Sequence, residues 1–336
     1  MTFDNIRLDK GLYGTTKSFT QALESIDPSE NYIGTELEGL DAYQRQLKRF
    51  DIKVSGKNSD SIEKFFRTSD SAALFPEYVS RAVAQGMEEA DLVSKITATT
   101  TTIDGLDYRT MAYVPCDELT FDYVTEGDMI PEAKITTQDN LIRLIKRGRV
   151  LSASYEAIKY QRLDLFTVTL KQLGAAIARA QLADALNVIG NGDGNNDMAE
   201  IINVSESGKV TYSDLVDFWN KFSAFNLTTL IASPDALAQL LKLGEFRDAY
   251  TGLDFHSTGK LITPFGADLF KCADLPEGLI IGLDKNCALE KVQSGGIVTE
   301  YDKLIDHQLE RASITAIAGF AKIYTDASKV LALTAE

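Results

Sequence analysis

The sequence predicts an α+β protein, and three stretches carry the prediction. Residues 163–189, LDLFTVTLKQLGAAIARAQLADALNVI, hold the longest run of helical periodicity without a breaker. Phe166, Leu170, Leu173 and Ile177 fall at the three- and four-residue spacing of one helix face, and Leu182, Leu186 and Ile189 continue it. At 1.5 Å per residue such a rod reaches roughly 40 Å, the width of an ordinary domain. Residues 107–150 read instead as two long extended limbs turning around Gly127 and Pro131. From residue 200 onward short apolar strands interleave with amphipathic helices, the pattern of a mixed lobe.

Composition bounds what such a protein does. With 336 residues, 44% hydrophobic and 25% charged, the chain can bury a sizeable core in two or three lobes and falls in the soluble globular class. Its apolar runs are shorter than the ~20 residues of a membrane span. The start, MTFDNIRLDKGLYGTTKSF, lacks the charged-then-apolar order of a signal peptide, so cytoplasmic synthesis and no membrane partner are expected. Cys116, Cys272 and Cys287 are odd in number, at spacings that suit neither a disulfide framework nor a metal. The net charge of −15 opposes any protein that grips nucleic acid, which needs a basic face to displace counterions. A wall around DNA is a different case, because repelling phosphate lets the polymer slide.

Residues 1–67 carry thinly scattered apolar side chains (Phe3, Ile6, Leu8, Leu12, Tyr13, Phe19, Leu23, Ile26) interrupted by glycines and polar clusters. So little apolar surface does not offset the ordering entropy of the segment, which is therefore expected to be an arm laid against a neighbouring copy. One helix is predicted within it over 36–50, where Leu37, Leu40, Tyr43 and Leu47 share a face. The stretch 11–18 is a loop but not a phosphate loop, because Thr16 stands where the motif requires a glycine before Lys17.

Globular sequence begins near Thr68. Pro76 falls near the first turn of a helix whose apolar face holds Val79, Val83 and Met87, and the β-branched run 97–102 favours extended chain. In the outgoing limb that follows, Asp104, Asp107, Asp117, Glu118, Asp122, Glu126, Asp128 and Glu132 are set against a single base, Arg109. The return limb carries Arg143, Lys146, Arg147 and Arg149. A two-stranded ribbon of this length is marginal in water unless it packs on something. The preferred reading is a hairpin that reaches another subunit, its acidic limb meeting basic side chains there. The alternative is two strands of an ordinary sheet with a solvated charged face.

Ser152 or Ser154 caps a short helix leading into the long one, which stops at 190–194, where glycines accept left-handed angles. The small-sided middle of the long helix, 174–180, lets another backbone approach closely. Beyond it the pattern gives a strand at 201–204, a helix at 212–225 with Leu215, Phe218, Trp219 and Phe222 buried, and a buried strand at 228–232. Ser233, Pro234 and Asp235 form a strong helix start. Strands recur at 261–262, 269–270, 278–283 and 288–292, and residues 308–333 alternate as a strand before closing on an apolar run.

The chemistry that residues of this sequence could build is sparse. His256 and His307 have no cysteine, carboxylate or second histidine at a metal-ligand spacing and read as surface residues. No nucleophile elbow, paired cysteine motif or dinucleotide fingerprint is present in its required setting. A calcium loop starting at Asp193 would need glycine at its sixth position, where Met198 stands, so a helix terminus is the better reading of 191–197. No catalytic, cofactor-binding or metal-binding residue is expected.

The order of the parts is informative where the single motifs are weak. It runs from DSAALFPE at 70–77 through YVTEGDMIP at 123–131, VLSASYE at 150–156 and NGDG at 191–194 to SPDALAQLL at 233–241, PFG at 264–266 and LPEGLIIGLD at 275–284. Over about residues 68–336 this resembles the major capsid proteins of tailed phages, the Hong Kong 97 type of fold. The resemblance implies an N-terminal arm or scaffold-like leader (1–67) and an extended loop (100–150). It further implies a peripheral domain around a spine helix (68–99, 151–204, 296–320) and an axial domain with its closing strand (205–295, 321–336). It implies a structural, non-enzymatic subunit forming pentamers and hexamers of an icosahedral shell that packages double-stranded DNA, contacted non-specifically. Scaffolding, portal and decoration proteins are the implied partners, with assembly in the host cytoplasm and final residence in the virion. The extended loop of that family lies over the adjacent subunit. Asp117, Glu118, Asp122, Glu126, Asp128, Glu132, Arg143, Lys146, Arg147 and Arg149 are accordingly the expected inter-subunit contacts. Lys134 is the one loop lysine before the return strand, and no asparagine partner can be assigned to it, so covalent cross-linking is not expected. An encapsulin-like nanocompartment shell is the rival reading, against which the long arm ahead of Ser69 argues.

Overall fold

The computed structural model describes residues 4, 6–14, 18–112, 123–127, 130, 136–195, 197–247, 263 and 265–333. The first elements in chain order are helices α1 (Phe19–Ile26), α2 (Ala42–Arg49), α3 (Ser69–Ala72) and α4 (Phe75–Glu89). Strands β1 (Thr99–Ile103), β2 (Met111–Ala112), β3 (Thr136–Thr137) and β4 (Ile145–Ser154) follow. Helix α5 (Tyr155–Tyr160) leads into α6 (Leu163–Asn191), after which come β5 (Glu200–Asn203), α7 (Tyr212–Asn220), β6 (Thr229–Ala232), α8 (Pro234–Leu240) and α9 (Gly244–Arg247). The chain ends in β7 (Asp268–Lys271), β8 (Leu279–Leu283), β9 (Leu289–Ser294), β10 (Val298–Leu304), β11 (Leu309–Lys322) and β12 (Ser328–Ala332). Among the described residues no helix is long and apolar enough to cross a membrane. The fold is α+β, as the pattern predicts, in two compact units.

The first unit comprises residues 1–90, 147–178 and 296–316. Its core corrects the expectation for the arm. Ile6, Leu8, Phe19, Leu23, Tyr43, Leu47, Ile62 and Phe65 are buried in one cluster with Leu74, Tyr78, Val79 and Val83 of the α4 region and Leu163, Leu170 and Ile177 of α6. Thinly scattered apolar residues suffice because most of the core they enter comes from elsewhere in the same chain. Arg45 is wholly buried and ties the arm's own turns together: it donates to Asp27 Oδ2 at 2.8 Å, to Ser29 Oγ at 2.9 Å and to the Leu40 carbonyl at 2.7 Å. The predicted helix over 36–50 is α2 alone, capped by Asp41, whose carboxylate accepts from Gln44 N. The helix α4 crosses α6 where two glycines meet. A Cβ on Gly174 would lie 2.1 Å from the Val83 carbonyl oxygen, and one on Gly86 would lie 2.1 Å from that of Lys171. The small-sided middle of the long helix thus takes a second backbone. The strand β4 pairs with β11, and β10 runs antiparallel to it with Val298 opposite Thr315. The end of the return limb is therefore a strand in a sheet of its own subunit rather than a free ribbon.

The second unit comprises residues 91–146, 179–295 and 317–336. A sheet ordered β5-β12-β8-β6-β7 divides two cores. Ile231, Ile281, Leu283 and Val330 enter one core with Leu182, Ala185, Leu186 and Ile189 of α6, while Leu230, Ala232, Ile280 and Leu331 enter the other with Leu215, Phe218 and Phe222. Alternate residues facing opposite sides explain why these strands read as continuous apolar runs. Trp219 departs from its expected burial: it is 47% exposed and stacks on Phe265 at 6.1 Å. The strand β9 lies between β1, parallel to it, and the second half of β11, antiparallel to it. The strand expected at 261–262 lies outside the described residues.

Candidate assembly surface: the extended loop and its root

The chain leaves β1 into the extended loop and returns toward β4. The root of the loop is a short antiparallel ladder with Met111 opposite Thr137 and Ala112 opposite Thr136. Gln138 N donates to the Thr110 carbonyl at 2.9 Å and Ile142 N to that of Tyr108 at 2.8 Å. Beneath the outgoing limb sits Glu290 of β9, only 5% exposed. Its Oε1 accepts from the Tyr108 hydroxyl at 2.8 Å and from Thr101 Oγ1, and its Oε2 accepts from Thr110 Oγ1 at 2.7 Å. Burial, and then the carboxylate it donates to, push the Tyr108 phenol up.

The return limb is tied to the turn that ends α6. Asn140 N donates to Asn195 Oδ1 at 3.2 Å and Asn140 Nδ2 to the Gly194 carbonyl at 2.7 Å, while Asn195 Nδ2 donates to Gln138 Oε1 at 2.6 Å. Gly192 and Gly194 hold φ of 81° and 103°, which glycine takes without strain. The turn is fixed from below. Asp193 N donates to Asp197 Oδ1 at 2.9 Å, and Lys322 N donates to Asp193 Oδ2 at 3.1 Å. Lys322 Nζ donates to the Asp197 carbonyl at 2.6 Å and to the Ile189 carbonyl at 3.3 Å, a cation placed on the negative end of the helix. Burial lowers Lys322 to about 8 and raises the Asp197 carboxyl. The oxygen-rich segment is a helix terminus whose Asp193 oxygens and Asp197 Oδ1 accept from its own chain, while Asp197 Oδ2 is buried without a partner among the described residues.

The residues expected to meet a neighbour divide into two groups. Glu126, Arg143, Lys146 and Arg149 are exposed and Arg147 is half-buried. Asp117, Glu118, Asp122, Asp128 and Glu132 lie outside the described residues, as do Lys134, Cys116 and His256. The loop also presents apolar surface that sequence reasoning did not single out: Tyr123 is 92% exposed, Ile130 77%, and Leu106 and Met111 63% each. Their signal was visible as large apolar residues within an acidic run. Glu290 gave none, because its three hydroxyl donors lie more than 180 positions away or nearly so.

A spine helix, a loop rooted between β1 and β4 and a two-core mixed lobe together define a class, the Hong Kong 97-type capsid fold. Solved structures share it at low identity. A virus-like particle from Pyrococcus furiosus matches with TM-score 0.51 and 13% identity, over 76% of this chain and 98% of the other. The capsid of an empty GTA particle matches at 0.53 and 14%, over 73% and 90%, and a structure of Gordonia phage Cozz at 0.50 and 16%, over 73% and 87%. At such identities the likeness carries the fold alone. The sequence supplies the second step: residues 137–300, from the return limb to β10, match the model of the phage capsid protein family, so this part of the chain is similar to phage capsid proteins. No curated protein matches it significantly.

Proposed function

We propose that this protein is the structural major capsid subunit of a tailed phage, without catalytic activity. It assembles into hexamers and pentamers of an icosahedral shell that packages double-stranded DNA. The extended loop is its overlap element, laid on an adjacent copy through Glu126, Arg143, Lys146, Arg147, Arg149 and the acids Asp117, Glu118, Asp122, Asp128 and Glu132. The observation that supports this most directly is Tyr123, 92% exposed, and Ile130, 77% exposed, on that loop. Large apolar side chains on a projecting loop have no use for a lone subunit and gain from burial against a second one. The acidic balance of −15 suits a wall that touches DNA without holding it. On this reading residues 100–150 are the extended loop, the α6 region is the peripheral domain and 205–295 the axial domain. Assembly takes place in the host cytoplasm, with scaffolding, portal and decoration proteins as further partners.

Electron microscopy and sedimentation of the expressed chain test the proposal. Closed shells or polyheads without a protein cargo are the expected outcome. A monomer that persists at high concentration would refute the shell reading, and small shells filled with a co-purifying protein would favour an encapsulin-like compartment instead.

A further inference from the structure

We propose that Glu290 is the positioning residue of the extended loop, the acceptor that fixes the direction in which the loop leaves the subunit. The inference rests on the reading of that loop as an assembly element. Three observations carry it. Glu290 is a buried carboxylate, and no ion pair of the described residues includes it. A buried carboxylate without a cation is tolerated only where hydrogen bonds replace its lost water. Here the donors are hydroxyls of Thr101, at the entry to the loop, and of Tyr108 and Thr110, on its outgoing limb.

The acceptor itself cannot move. Glu290 is opposite Thr99 of β1 on one side and Ala321 of β11 on the other, so its strand is held in the sheet from both edges. Lifting the outgoing limb would leave a buried charge with one hydroxyl where it had three, and would uncover the Thr110 hydroxyl, now 4% exposed. The penalty falls on any partial displacement, which makes the limb's seat all or none. The return limb is held differently, by the buried side chain of Ile142 and by neutral amides of Asn140 and Asn195, and Asn140 is exposed. Water can replace those bonds at small loss. The direction of the loop is therefore set at Glu290 and only followed at Asn140.

Amide hydrogen exchange of the full chain tests this with E290Q, which keeps the shape and removes the charge, and with T110V, which removes one donor. The reporters are the amides of Gln138 and Ile142, bonded across the root to the Thr110 and Tyr108 carbonyls. In E290Q both should exchange about tenfold faster or more, and in T110V by a smaller factor, with the core amides of Thr228 and Asp284 unchanged. Root amides unchanged in both variants would overturn the proposal, as would root and core accelerating together, which would make Glu290 a core residue and nothing else. The yield of closed shells from E290Q, relative to the unaltered chain, should fall severalfold. Unchanged yield with a loosened root would remove its role in assembly. Failure of the unaltered chain to form shells would sink the capsid reading while leaving the exchange result to judge Glu290 by itself.

Discussion

Single buried ionisable groups give this fold a measurable pH dependence. Lys322 is 1% exposed and titrates at about 8 rather than the ordinary 10.5, because burial disfavours its ammonium more than the nearby Asp197 and Asp193 favour it. Between those two values the unfolded chain binds a proton that the folded chain has released, so stability rises with pH across that window, by on the order of 3 kcal/mol. Above pH 10 the buried phenols reverse the trend. Tyr78 is pushed up to about 12 and Tyr43 well above its ordinary range by burial, so the unfolded state gives up protons that the folded state keeps. Denaturant unfolding from pH 7.5 to 9.5 should therefore show rising stability in the native chain and no rise in Lys322→Met, where the Cys272 thiol, pushed up by burial, tilts the profile downward near pH 9. Equal slopes in the two would mean that Lys322 keeps its proton throughout.

At the scale of elements, the contact between α4 and α6 depends on having no side chain at its crossing. Gly174→Ala would set a Cβ 2.1 Å from the Val83 carbonyl oxygen, and two packed helices separate rather than absorb that overlap. A loss of roughly 1–3 kcal/mol or more is expected. Gly190, also in α6, has nothing within 4 Å of its notional Cβ and an ordinary helical backbone, so Gly190→Ala should gain roughly 0.5–1 kcal/mol. Melting temperatures of the pair check this, and a well-tolerated Gly174→Ala would show that the crossing is loose. The stripe around Gly174 was legible in the sequence, because helix periodicity and side-chain size are local properties. For the same reason α6 was placed to within two residues of its end. Its partner Gly86 was not legible, since nothing in the sequence says which helix the small face meets. Trp219 was misjudged because it borders the face set by Leu215, Phe218 and Phe222, and the Phe265 ring that it stacks on comes from a distant turn. The seat of Glu290 was out of reach for the same reason, its donors being set by the pairing of β1 with β9.

At the scale of the molecule, folding and assembly draw on different parts of the chain, and two variants should separate them. Residues 1–67 belong to folding. They seal the first unit's core through Phe19, Leu23, Tyr43, Leu47 and Phe65, and Leu163 N at the start of α6 donates to the Asp60 carbonyl at 2.9 Å. Deleting them would expose Leu74, Val79, Val83 and Leu170 together, each worth roughly 1.5–3 kcal/mol of burial, so the truncated chain should be insoluble rather than merely unable to assemble. A soluble, cooperatively melting truncation would restore the view of this segment as an appendage. Arg143, Lys146 and Arg149 belong to assembly instead. All three are exposed, and among the described residues none enters an ion pair, so reversing them to glutamate removes no internal contact and should shift the melting temperature by little. If the return limb meets acidic side chains of another copy, the triple reversal sets like charges against each other there. Shells should then fail to form at low salt and recover partly as added salt screens the repulsion within ~10 Å. Normal shells from a normally folded triple variant would exclude these cations from the contact and leave Tyr123 and Ile130 to carry it alone.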